Sequence, residues 1–276
     1  MRSRVEPRGV RIGMRIGTGL VLAFLYIPLL IIALYAFNET RSQAWPIEDF
    51  TTKWFAVAWN NGSVRESLYN SIKAAIGATG IALTLGSLAA FAIHRFRFFG
   101  RESISFLLVL PIALPGIVTA MALNSAINVG GLTFSLWTII IGHSTFCIVV
   151  VFNNVIARLR RLPNSLVEAS SDLGADGWQT FRYVLLPQLA TALLAGGLLA
   201  FALSFDEIVV TNFTSGAEST LPKWIFNNIR LPNLRPQVNV VAFAVVLASF
   251  IPVYIAQRLT REEGVGLARL SRRADL

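Results

Sequence analysis

The stretch SISFLLVLPIALPGIVTAMALNSAINVGGLTFSLWTIIIGHSTFCIVVVFNNVIA, residues 103–157, contains no Asp, Glu, Lys or Arg. A helix that crosses a bilayer needs about 20 predominantly apolar residues, so this run is long enough for two. The turn signal Asn128-Val129-Gly130-Gly131 divides it into expected spans over 104–127 and 136–155. The same length criterion finds further runs at 16–37, 74–93, 183–205 and 236–257. An all-α polytopic membrane protein of six helices is therefore expected. The runs do not alternate polar and apolar residues as the strands of a lipid-facing barrel must.

Composition leads the same way. Of 276 residues 54% are hydrophobic and 14% charged, against about 25% charged in soluble domains. The single cysteine, Cys147, rules out a disulfide-stapled secreted fold and reads as a small buried residue. The net charge of +9 is a matter of placement. Arg2, Arg4, Arg8, Arg11 and Arg15 precede the first span, and Arg95, Arg97 and Arg101 lie between the second and third. Arg158, Arg160, Arg161 and Arg182 lie between the fourth and fifth, and Arg258, Arg261, Arg269, Arg272 and Arg273 follow the sixth. In a six-helix count all of these fall on one side, which the positive-inside rule makes cytoplasmic. The expected organisation is a cytoplasmic tail at 1–15, a membrane domain at 16–257 and a second cytoplasmic tail at 258–276. The basic excess is a topology signal, and nucleic acid is not expected as a partner. The first span is too long for a signal-peptide core and is expected to remain.

The loop at 158–187 is the most informative polar segment. Pro163 suits a first helical position, and a short helix is expected over 165–173. Gly174 supplies the left-handed residue that ends it. A second amphipathic helix should start near Gly177, with Trp178, Phe181, Val184 and Leu185 on one face, and Pro187 should open the fifth span. The result is a rigid knob projecting from the membrane; the alternative is a loop packed only on itself.

On these residues the chain resembles the permease subunits of bacterial ABC importers, the type I importer fold. Their coupling loop reads Glu-Ala-Ala, three residues, Gly, nine residues, Ile-x-Leu-Pro. Glu168, Ala169, Gly174, Leu186 and Pro187 match at the correct spacing, with Ala175 beside the glycine; Ser170 and Val184 depart mildly. The resemblance implies that the loop docks on a separate ATP-binding subunit. No Gly-x-x-x-x-Gly-Lys-Ser/Thr sequence occurs, so ATP and Mg are expected on that partner, and this chain is expected to be no enzyme and to carry no cofactor. It also implies a homologous permease, two ATP-binding subunits and an extracytoplasmic substrate-binding protein as partners, in the inner membrane.

Finer resemblance points to the second permease of polyamine (spermidine/putrescine) importers. It rests on Phe50-Thr-Thr-Lys-Trp54-Phe, on Gly142-His143-Ser-Thr-Phe146-Cys147, and on Ser204-Phe-Asp206-Glu207 followed by a β-branched run, Phe213, Gly216 and Leu221-Pro222. The chemistry suits a polycation. Acids near membrane depth are costly and are functional candidates by default. Asp206 and Glu207, about 100° apart on a helix, cannot both face a pore squarely, and Ser204 lies one half-turn before them. Trp54 and Trp224 could hold an amine through cation–π contact, with interface anchoring as the alternative for both. In the third span Pro111 and Pro115 free backbone carbonyls, which either line the pathway or mark a packing kink. Polyamine permeases often have Asp after the second proline, where Gly116 stands here; fewer acids leave open a smaller polyamine or another solute, such as ferric iron or a phosphonate. His143 reads as a helix–helix hydrogen-bond partner. An ion-coupled secondary transporter is the rival from another class.

Overall fold

The computed structural model describes residues 8–250 and Tyr254, and among the described residues every regular element is helical. The elements are α1 (Arg8–Ala36), α2 (Lys53–Asn60), α3 (Gly62–Arg95), α4 (Arg101–Ala113), α5 (Gly116–Val129), α6 (Leu136–Leu159), α7 (Ser165–Asp172), α8 (Gly177–Asp206), α9 (Val209–Thr214), α10 (Leu221–Asn228) and α11 (Arg235–Phe250). α1, α3, α6 and α8 are each long and apolar enough to cross a membrane.

The expected count of six spans takes a different form. The expected third span is instead two helices, α4 and α5, bent by 106° at the break between them, so the described residues hold four helices that can cross a membrane, or five if that pair is one span. Leu114 is extended (φ −79°, ψ 147°), the conformation forced on a residue that precedes proline. Pro111 lies inside α4 without ending it. Of the expected sixth span the described part is the shorter apolar helix α11, up to Phe250, and Tyr254; residues 251–253 and 255–257, like the tail at 258–276 and residues 1–7, lie outside the described residues. α1 begins at Arg8 rather than at residue 16, so all of the expected N-terminal tail that is described, residues 8–15, is helical.

The chain divides into two compact units, and each has its own packing logic. The larger, built on residues 62–224, is held by α3, α6 and α8. Its core joins Ala78, Ala82 and Ala90 of α3 to Cys147, Phe152 and Val155 of α6, with Leu189 and Ala200 of α8. Lipid tails are as apolar as these side chains, so close packing rather than water exclusion must hold the helices together. Small residues allow it: a Cβ on Gly86 would sit 2.8 Å from the Ile148 carbonyl oxygen, so α3 and α6 approach backbone to backbone there. In the smaller unit, residues up to 61 and 225–251, Phe37, Phe55 and Phe243 form a ring cluster with centroids 5.0–6.4 Å apart. Asn61 Nδ2 donates to Gln237 Oε1 at 2.8 Å.

Candidate functional site

Two regions of the larger unit carry the residues that the sequence singles out. The first is the loop after α6. α7 spans Ser165–Asp172, and Gly174 follows it at φ +81°. The Ala175 N–H donates to the Ser170 carbonyl at 3.1 Å and the Gly174 N–H to that of Ser171 at 2.9 Å. These are the paired bonds of a Schellman stop, which needs a left-handed residue at the glycine position. Pro163 stands two residues before α7 instead of at its first position, and its carbonyl accepts from the Leu166 N–H.

α8 then starts with a capping box: the Gln179 N–H donates to Asp176 Oδ1 at 2.8 Å, and Gln179 Oε1 accepts from the Asp176 N–H at 2.9 Å. The expected separate amphipathic helix is instead the first part of one continuous helix from Gly177 to Asp206. Pro187 lies within it, preceded by a π-helical turn at Thr180–Leu185. That wider turn covers Tyr183, whose carbonyl a regular helix would press against the Pro187 ring. The loop is therefore rigidly continuous with a membrane helix. A buried hydroxyl pair, Ser170 Oγ and Thr180 Oγ1 at 2.9 Å, ties α7 to α8. Glu168 and Ala169 stay exposed, as do Leu173 (88%) and Trp178 (69%). Exposed apolar side chains beside a carboxylate with no ion-pair partner among the described residues are what a protein-docking face presents. Leu186 and Pro187 sit where the knob enters the span.

The second region is the break between α8 and α9. Ser204 is the buried polar residue of the last turn of α8, Asp206 closes that helix, and Glu207 leaves it (φ −74°, ψ 120°). The two acids thus do not share one helix, and their environments separate. Glu207 turns back to cap α9, its Oε1 accepting from the Val210 N–H at 2.9 Å. Asp206 is exposed and has no hydrogen-bond or ion-pair partner among the described residues.

His143 of α6, fully buried, holds both sides of this break. Its Nδ1 is 2.8 Å from Ser204 Oγ and its Nε2 2.9 Å from Thr211 Oγ1. Thr211 has one hydroxyl proton and donates it to the Glu207 carbonyl at 2.8 Å. It must therefore accept from His143, so Nε2 carries the imidazole proton and Nδ1 accepts from Ser204. The helix–helix role expected for His143 is what the geometry shows. Thr211 carried no signal in the sequence, and Ser170 only as a departure from the coupling-loop motif, since lone hydroxyl residues gain meaning from their partners.

The remaining candidates lie apart from these two. Pro111 and Pro115 belong to the α4–α5 bend; α5 packs on α9, and Asn124 Nδ2 donates to the Phe213 carbonyl at 2.6 Å. Trp54 belongs to the smaller unit and is 7% exposed. Its indole N–H donates to the Asn38 carbonyl at 2.9 Å. Its ring already faces two cations of this chain, Lys53 Nζ at 5.2 Å and the Arg41 guanidinium at 5.9 Å from the centroid. Trp224 is buried.

Comparison with known proteins agrees with this architecture. Residues 82–263 match the family model described as binding-protein-dependent transport system inner membrane component. The spermidine/putrescine transport system permease protein PotC of Escherichia coli (strain K12) is 32% identical over 89% of this chain and 93% of its own length. The putrescine transport system permease protein PotI of the same organism is 32% identical over 87% and 89%. Among solved structures, a bacterial ABC transporter involved in import of the acidic polysaccharide alginate aligns with TM-score 0.67 at 19% identity, covering 94% of this chain and 99% of that one. The MetNI methionine ABC transporter aligns with TM-score 0.56 at 17% identity, over 72% and 94%. At those identities the structures speak to the fold alone, the fold expected from the coupling-loop motif. By its family match and its relatives, the chain belongs to the binding-protein-dependent transport system inner membrane components, the permease subunits of ABC importers.

Proposed function

We propose that this permease carries polyamines inward as half of a pseudo-symmetric pair with a homologous permease. Two ATP-binding subunits supply the energy, with ATP and Mg bound on them, and an extracytoplasmic binding protein delivers the solute. The observation that carries the solute class is the identity to two polyamine permeases across nearly the whole chain, joined to an exposed carboxylate at a helix break, Asp206, that has no partner among the described residues. A fold shared with an alginate importer does not fix the solute, so the side chains must. Here an acid at membrane depth is chemically suited to an ammonium group.

In this reading both termini are cytoplasmic, and the knob at 168–187 seats in a groove of the ATP-binding subunit. Glu168, Ala169, Leu173 and Trp178 are its exposed contacts; Gly174 and Ala175 hold its shape. Because α8 is continuous through Pro187, a push on the knob reaches the Asp206 end of the same helix as a rigid-body displacement. Closure of the nucleotide subunits would so alternate the access of the site. Asp206 takes a substrate amine, Glu207 shapes the corner, and Ser204 supports it through His143. Trp54 contributes only if a substrate amine replaces Lys53 or Arg41 on its ring, and Pro111 with Pro115 shapes the neighbouring wall.

The test is uptake of labelled spermidine and putrescine into vesicles holding the complete transporter. Concentrative, ATP-dependent uptake is expected, and Asp206→Asn should raise KM while the complex still assembles. Failure of unlabelled polyamines to compete for the solute taken up would reject the assignment.

A further inference from the structure

The larger unit contains a groove of about 1460 Å3 between α3, the α7 loop and α8. It exceeds the roughly 300–1,000 Å3 of small-molecule pockets, and its two ends differ in chemistry. The inner end is lined mainly by Leu83, Leu88 and Phe91 of α3 and by Leu193 and Leu194 of α8, with Thr84 and Ser87 as its polar members. The mouth, on the Glu168 side, is lined by His94, Arg95, Arg97 and Arg101. Among the described residues none of these arginines has an ion-pair partner, and Glu168 is the one acid that lines the groove.

Along α3 the distance from Leu83 to Arg95 is about 18 Å at 1.5 Å per residue. Half of a hydrocarbon core is about 15 Å. The groove is thus one leaflet deep, apolar where the bilayer is apolar and cationic where headgroups lie. A soluble partner protein reaches the mouth but has no reason to enter the apolar end. We propose that this groove is a binding site for an anionic phospholipid of the leaflet on the Glu168 side. One acyl chain lies along Leu83–Phe91 and the phosphate is held by Arg95, Arg97 and Arg101. Basic pockets between membrane helices are suited to such headgroups. The lipid spans α3 and the coupling loop, whichever solute the transporter carries.

The test uses the complete transporter in detergent, with native mass spectrometry and a phosphatidylglycerol bearing a photoactivatable acyl chain. Phosphatidylglycerol should be retained in preference to phosphatidylethanolamine, and adducts should map to residues 83–91. At about a factor of five per arginine, the Arg95→Gln/Arg97→Gln/Arg101→Gln variant should bind roughly a hundredfold more weakly. Leu88→Trp, which fills the groove and leaves the charge alone, should also remove the adducts. Glycerol phosphate without acyl chains should not compete. Equal retention of the two lipids, competition by glycerol phosphate, or adducts confined to other helices would overturn the proposal. So would a cross-link showing a partner polypeptide in the apolar end.

Discussion

Replacing His143 tests the arrangement at the acidic corner directly. The imidazole makes two interhelical bonds, to Ser204 and Thr211. Such bonds in membrane proteins average about 0.6 kcal/mol and reach about 1.7, so His143→Leu should cost about 1–3 kcal/mol. After that change Thr211 still donates to the Glu207 carbonyl, and the Ser204 hydroxyl can turn back to its own helix, so little is left stranded. Thr211→Val is harsher for its size: it keeps the shape but leaves the buried Nε2–H without an acceptor, a loss of about 1–3 kcal/mol. Because the two residues share a bond, the double variant should cost about 0.6–1.7 kcal/mol less than the sum of the singles. His143→Gln, which keeps a donor near the Nε2 position, should recover part of the loss. Unfolding in mixed micelles of rising denaturing-detergent fraction measures each value. Additivity within about 0.3 kcal/mol would show that the bond, and the proton placement derived from it, is wrong.

Three further outcomes follow from particular residues. Gly174→Val has open space around a new Cβ but demands φ +81° of a β-branched side chain, a strain of about 1–3 kcal/mol; ATP hydrolysis should continue while uptake falls, and normal uptake would sink the coupling role of the knob. Gly86→Ala should destabilise the bundle, because its methyl would meet the Ile148 carbonyl at 2.8 Å, whereas Gly80→Ala on the same helix meets nothing within 4 Å and should be neutral or mildly stabilising in the same unfolding assay. Lys223, on the short helix α10, has its pKa lowered by burial, with Glu218 working against the shift, and its Nζ donates to Ser215 Oγ at 2.6 Å. The unfolded chain then holds this proton to higher pH than the folded one, so stability should rise with pH in the alkaline window below 10.5; Lys223→Met should flatten that rise, and an unchanged slope would exclude Lys223 as its source.

What the sequence could show depended on whether the deciding physics was local. Four spans were legible because hydropathy over about 20 residues is a local sum. Gly174 was legible because one residue type dominates left-handed helix stops. The α4–α5 bend was half legible: two prolines announce irregular backbone. The angle falls at Leu114 because a pre-proline residue is driven out of the helical region, while Pro111 sits inside α4 without ending it. The acidic corner was legible in residue type and hidden in geometry. Ser204 and Thr211 are seven residues apart, so on an unbroken helix their Cα atoms would stand about 10.5 Å apart, far more than one imidazole ring spans. His143 nevertheless meets both, at 2.8 and 2.9 Å. The break at Glu207 and the histidine bridge support each other. The break brings the two hydroxyls within reach of one ring, and the ring gives the interrupted chain polar partners inside the protein, where lipid would offer none. Asp206 is released from helical neighbours by the same break, which makes the exposed acid and the buried histidine consequences of one local interruption in α6's packing partner.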